Sequence, residues 1–260
     1  MKHPVVHIGV GNVGKETASQ ITQFGENLTY SALFDRTGGA FAETGLSSDA
    51  VSRFPEGASA DITPDSVIDE LTGPCIFVDT TAADTTLASM KKVLSKGGAV
   101  VMSNKKPITG TQADWDELHR LGDDRLFYET TVGAGLPVIQ TLKSLLATGD
   151  KIIEIQGCFS GTLGFLFSEL EAGTSFSTAV TSAKEQGFTE PDPRDDLSGM
   201  DVARKVLILS RVMGKELEIT DVSVEPLYND ALAKLSKEEF MEQVTTLDQE
   251  YAARAEQAAS

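Results

Sequence analysis

The chain has 260 residues, 40% hydrophobic and 23% charged, a balance suited to one large or two small globular domains. Its formal net charge of −17 argues against nucleic acid and anionic membrane as partners, because both need a basic patch. No apolar run approaches the ~20 residues of a membrane span, and the acidity fits solubility or a salt-adapted host.

A short apolar strand is expected at residues 5–8. It leaves no room for a signal peptide, so a cytoplasmic protein is expected. The strand runs into Gly9-Val10-Gly11-Asn12-Val13-Gly14, and a helix follows to about residue 23. G-x-G-x-x-G between a strand and a helix marks a dinucleotide site. Gly9 allows the tight turn, Gly11 lets backbone approach a pyrophosphate, and Gly14 lets helix and strand pack closely. The helix start at Asn12 and Val13 supplies amide donors for phosphates. The next strand, residues 29–34, ends at Asp35, placed to hydrogen-bond ribose hydroxyls. That favours NAD, whereas the guanidinium of Arg36 suits the 2′-phosphate of NADP. Asp35 also reads as a turn residue before Gly38-Gly39.

Residues 44–72 hold helices and turns. Strands follow at 76–78 and 100–102, with a helix over 84–96 between them. This alternation indicates a parallel, doubly wound sheet. Ligands of such sheets bind at the carboxyl ends of strands, where Thr81 and Lys105 fall. Lys106 reads as solvated. A helix over 114–121 carries Trp115, a packing residue. His3, His7 and His119 lack the partners of a catalytic triad and read as structural. Cys75 and Cys158 read as reduced core cysteines.

A strand at 126–128 leads into Glu129 and a glycine-rich turn. An alternating strand is expected at 151–159, then Ser160 as a helix cap and a helix over 176–186. Residues 186–211 then combine a carboxylate-rich loop, stiffened by Pro191 and Pro193, with a helix starting near Ser198 and Gly199. Asp201 and Lys205 share a face of that helix, and Val202, Val206 and Leu209 are expected to anchor it. An exposed i,i+4 pair alone is worth only about 0.2–0.5 kcal/mol and indicates no more than a salt-bridged helix.

The strings GVGNVG, NKKP, ETTVGAGLP, FSGTLGF and GFTEPDPRDDLSGMDVARK, in that order, resemble the homoserine dehydrogenase family, the last string its catalytic signature. The resemblance runs from the first strand to Arg211 and thins out afterwards. It implies a Rossmann-type doubly wound parallel sheet in an N-terminal dinucleotide-binding domain, residues 1–131. An α+β substrate-binding and dimerisation domain is expected over 132–260, incomplete at its C-terminus because relatives continue with further strands.

The implied reaction is reversible oxidation of L-homoserine to L-aspartate 4-semialdehyde with NAD or NADP, a step of threonine, methionine and isoleucine biosynthesis. The resemblance implies Lys105 beside nicotinamide and substrate; Lys205 and Lys105 are both candidates to move the proton, and Lys205 is expected as the acid/base with Asp201 fixing its position. It implies Glu190 and Asp196 on the substrate ammonium and Thr162 in the substrate site. It further implies a monovalent cation, sodium, on Glu129 and the carbonyls of Val132, Ala134 and Leu136. A homodimer is expected. Phe188 stands where relatives often carry tyrosine. Two other readings remain open here: a catalytically weak or inactive NAD(P)-binding subunit of this family, and another α/β oxidoreductase acting on a small amino-acid aldehyde.

Overall fold

The computed structural model describes residues 2–259. The chain forms two compact units. The first runs through Thr148 and takes in Arg211–Glu218; the second comprises Gly149–Ser210 and the chain from Ile219 onward.

The first unit is built on a six-stranded sheet. β1 (His3–Ile8) and α1 (Asn12–Phe24) flank the glycine loop, and β2 (Leu28–Asp35) returns parallel to β1. Val5, Val6 and His7 are fully buried, as a central parallel strand covered on both faces requires. β3 (Gly38–Phe41) then pairs antiparallel with β2. A wholly parallel sheet was expected. The reversal arises because Asp35 and Gly38 pair across Arg36-Thr37, a two-residue hairpin connection whose turn the Asp35 side chain braces.

After α2 (Ser48–Arg53), Thr63 caps α3 (Pro64–Glu70) in a capping box with Ser66. β4 (Ile76–Asp79), α4 (Leu87–Ser95), β5 (Ala99–Met102), α5 (Gln112–Gly122) and β6 (Leu126–Phe127) complete the alternation. The strand order is β3-β2-β1-β4-β5-β6, so the chain reverses its direction of growth between β1 and β4. That switch point is where open α/β sheets bind ligands.

α6 (Thr130–Gly133) and α7 (Val138–Ala147) follow. The buried guanidinium of Arg211 staples this unit, donating to the carbonyls of Ile108, Gly110 and Leu217 and to Glu218. Trp115 is buried, with Arg211 over its ring.

Helices form the second unit: α8 (Gly161–Glu171), α9 (Phe176–Glu185), α10 (Pro193–Leu197), α11 (Met200–Val212) as far as Ser210, α12 (Asp230–Ala233), α13 (Lys237–Gln243) and α14 (Asp248–Ala259). Their core joins Leu166, Phe176, Val180, Leu197, Phe240 and Leu247. Phe176 stacks on Tyr251 with ring centroids 4.0 Å apart, so α14 contributes to this core.

Four expectations change here. Residues 151–159 form no strand: among the described residues none offers them a ladder, and Ile153 is 98% exposed. The loop after Pro191 is partly helical, because Pro193 sits at the first position of α10, where a missing amide costs nothing, and Asp192 caps it. On α11 the buried apolar residues are Ala203, Leu207, Ile208 and Leu209, while Val202 and Val206 are half-buried. Cys158 is exposed and only Cys75 is a core cysteine. No helix among the described residues is long and apolar enough to cross a membrane.

Candidate functional site

In the first unit a cleft of about 960 Å³ opens at the β1/β4 switch point. Gly9, Gly11, Asp35, Arg36 and Thr81 line it, with Val10 and Thr37. Asn12 and Val13 form the exposed first turn of α1, and Gly14 is buried behind them; neither they nor Lys105 line the cleft. The glycines differ in why they must be glycine. Gly9 has φ of +94°, which disfavours any side chain. A Cβ on Gly14 would fall 1.9 Å from the Gly9 carbonyl oxygen. A Cβ on Gly11 would meet no protein atom within 4 Å. The fold itself therefore does not demand glycine at position 11, whereas close approach of a phosphate group does. The residues present fit a dinucleotide.

The Asp35 carboxylate accepts from the amide and hydroxyl of Thr37 through one oxygen, at 2.8 and 2.6 Å. It is thus both the turn residue and a cleft residue. Thr81 is held by Asp79, whose fully buried carboxylate accepts from the Thr81 amide and hydroxyl, the Thr86 hydroxyl and the Asn104 amide. Four donors satisfy a carboxylate that burial would otherwise penalise severely. Asp79, Thr80 and Asn104 were missed from sequence. Their one signal was position, at the carboxyl ends of β4 and β5.

Lys105 is half-buried in the turn after β5, next to buried Asn104. Lys106 is not simply solvated but ion-paired with Asp84 at 2.9 Å. Glu129 reaches the start of α7, accepting from the amides of Ile139 and Gln140 at 2.8 and 2.9 Å. A carboxylate there complements the helix dipole. Val132 is buried, while Ala134 and Leu136 are exposed, and the Leu136 carbonyl accepts from the Val138 amide. Ala134 has φ of +51°, unusual for a residue with a Cβ.

The second unit holds the other candidates. Asp201 and Lys205 lie one turn apart on α11, and Lys205 Nζ sits 2.9 Å from the Asp201 carboxylate. Lys205 also donates to the Phe159 carbonyl at 2.6 Å. Its side chain is 14% exposed, so solvent screens the pair less than a surface ion pair. Ser160 caps α8 by accepting from the Leu163 amide, as expected. Thr162, on the first turn of α8, faces the Phe188 carbonyl at 2.6 Å and Asp196 at 3.0 Å. The second Asp196 oxygen accepts from the Glu190 amide at 2.8 Å. Thr162, Asp196 and the Glu190 backbone are therefore brought together, with the Glu190 side chain exposed. Asp192 is instead bound to Arg194, whose guanidinium holds the Asp192 carboxyl below its usual range. Phe188 is exposed and packs against Phe165.

Comparison with known proteins bears on both units. A family model described as homoserine dehydrogenase matches residues 137–259. A homoserine dehydrogenase from Schizosaccharomyces pombe is 36% identical over 277 residues, covering 98% of this chain and 74% of that protein. A bifunctional aspartokinase/homoserine dehydrogenase from Zea mays is 47% identical over 182 residues, 68% of this chain. The match spans 20% of that longer protein. Among solved structures, a Candida auris protein of unknown function superposes with TM-score 0.89 at 30% identity, over 99% of this chain and 76% of that one. A hyperthermophilic archaeal homoserine dehydrogenase mutant in complex with NADPH gives 0.71 at 28% identity, over 86% and 75%. This chain belongs to the homoserine dehydrogenase family.

Proposed function

We propose that the chain catalyses NAD(P)-dependent, reversible oxidation of L-homoserine to L-aspartate 4-semialdehyde. The observation that carries this reading is Lys205, its amine held between Asp201 and the Phe159 carbonyl in a chain of this family. A bound nicotinamide supplies hydride acceptance from, and return to, substrate C4. In the oxidative direction the neutral Lys205 amine takes the substrate hydroxyl proton; in the reductive direction its ammonium gives that proton to the aldehyde oxygen. Asp201 fixes the amine. Glu190 and Asp196 hold the substrate ammonium, and Thr162 positions Asp196 through its hydroxyl. Lys105 assists beside the nicotinamide.

Residues 1–131 serve as the dinucleotide-binding domain and 132–260 as the substrate and dimerisation domain. Gly9, Gly11, Asn12 and Val13 receive the pyrophosphate, with Gly14 packing the helix behind them; Asp35 takes the ribose of NAD and Arg36 the 2′-phosphate of NADP, and Thr81 closes the same cleft. The archaeal neighbour solved with NADPH supports a nicotinamide dinucleotide here. A sodium ion on Glu129 and the carbonyls of Val132, Ala134 and Leu136 is supported by donor chemistry, since oxygen ligands suit a hard cation, and by the positive φ at Ala134. Homodimerisation is supported by the exposed apolar side chains of Ile153 and Ile155, whose burial against a second chain is favourable. Two free cysteines fit a cytoplasmic location.

The test is homoserine-dependent formation of reduced nicotinamide by this chain, run with NAD and with NADP, in sodium and in potassium. Turnover with either dinucleotide supports the reading. Dinucleotide binding without turnover favours a catalytically inactive subunit instead.

A further inference from the structure

Behind the glycine loop lies a file of hydrogen bonds whose far end, His7 and Tyr30, does not line the cleft and whose near end, Thr80 and Gly9, does. His7 on β1 is fully buried. Its Nδ1 is 3.2 Å from the Tyr30 hydroxyl and its Nε2 is 2.9 Å from the Thr80 hydroxyl. The Thr80 hydroxyl donates to the Gly9 carbonyl.

Counting protons fixes the direction of this file. Thr80 has one hydroxyl proton and gives it to Gly9, so its oxygen accepts from His7 Nε2–H. A neutral imidazole then has Nδ1 as acceptor, which takes the Tyr30 hydroxyl proton. The burial of His7 supports the neutral form: burial lowers its pKa to about 4, outweighing the opposing effect of Asp79.

Gly9 is where the file meets the loop. Its amide donates to the Phe34 carbonyl at 2.8 Å, and its carbonyl is held by Thr80. The peptide unit is planar, so the Gly9 carbonyl and the Val10 amide share one plane. Fixing the carbonyl fixes the Val10 donor, and Val10 lines the cleft.

We propose that His7 is a positioning residue for dinucleotide binding: acting through Thr80, it sets the Gly9–Val10 peptide plane and so presents the loop's amide donors to the phosphates. This rests on the reading of the cleft as a dinucleotide site. The test begins by titrating the unaltered chain with NADH and with NADPH and following nicotinamide fluorescence. Failure to bind either overturns that reading and the inference with it.

Three variants then address His7 itself. His7→Asn keeps a polar atom near the Nδ1 position and loses the Thr80 contact. His7→Gln keeps a donor near the Nε2 position. Thr80→Val removes the link while leaving His7 in place. His7→Asn and Thr80→Val weaken dinucleotide binding about tenfold, the loss of one well-placed hydrogen bond, while His7→Gln stays within about threefold. If His7 only fills the core, Asn and Gln lower the melting temperature alike and leave the dinucleotide Kd unchanged, which overturns the proposal. Should His7→Asn fail to fold, Thr80→Val decides at a half-buried position: a Kd equal to that of the unaltered chain refutes the role.

Discussion

Lys205 Nζ lies 2.9 Å from the carboxylate of Asp201, one turn earlier on the same helix, and 2.6 Å from the Phe159 carbonyl. Two acceptors from different segments leave the amine little freedom, the condition for a group that must meet a reacting oxygen in one orientation. Asp201→Asn preserves an oxygen acceptor and removes the charge. Turnover falls by about one to two orders of magnitude, a fraction of what a positioned acid/base provides. Steady-state assay with homoserine checks it, and unaltered kcat contradicts the role given to Asp201.

Thr162 and Asp196 form a second lock. The Thr162 hydroxyl faces both the Phe188 carbonyl and Asp196, and Asp196 also holds the Glu190 amide. Thr162→Val frees the Asp196 carboxylate to rotate. The KM for homoserine rises about tenfold, the scale of one lost hydrogen bond to a charged group, whereas dinucleotide Kd stays constant. A matching rise in both constants points to a folding defect instead.

Gly11 and Gly14 separate binding from stability. A Cβ at Gly14 meets the Gly9 carbonyl oxygen at 1.9 Å, while one at Gly11 meets nothing within 4 Å. Gly14→Ala lowers stability by about 1–3 kcal/mol, the cost of overpacking, read as a fall in melting temperature. Gly11→Ala melts like the unaltered chain and loses dinucleotide affinity. Equal melting points for the two variants count against this account of the loop.

Signals carried by neighbouring residues are legible in the sequence, and those carried by distant partners are not. The glycine loop and the parallel strands were legible because strand period, chain punctuation and helix start are local. β3 was not: Gly38-Gly39 reads as a turn, and only pairing to Phe34 and Asp35 makes it a strand. Residues 151–159 alternate as a strand does, yet a ladder needs a neighbour that no local pattern reveals. Lys205 and Asp201 were legible as an i,i+4 pair. The Phe159 carbonyl was not, since it comes from 46 positions away. His7 looked inert because its partners, Tyr30 and Thr80, lie on other segments.

The same histidine sets an acid limit. Its pKa in the fold is lowered to about 4 from 6.5, chiefly by burial. Below the unfolded value the unfolded chain binds a proton that the native state refuses, so stability falls as pH drops from 6.5 toward 4 and is unaffected above 6.5. The span corresponds to a loss on the order of 3 kcal/mol. Urea midpoints between pH 7 and pH 4 measure it. His7→Gln removes this contribution, and an equally steep acid loss in that variant assigns the effect elsewhere.

Arg211 is buried and saturated by carbonyls of Ile108, Gly110 and Leu217. Lysine cannot reproduce that fork. Arg211→Lys lowers stability by about 2–4 kcal/mol as buried carbonyls lose donors. Denaturant unfolding reports the change, and an unshifted midpoint removes Arg211 as the staple.

Replacing the Lys205 amine tests the mechanism most directly. Lys205→Ala keeps NADH and NADPH affinity, because the dinucleotide residues belong to the other unit, and lowers homoserine turnover at least ~10²-fold. Turnover at the level of the unaltered chain contradicts proton transfer by Lys205.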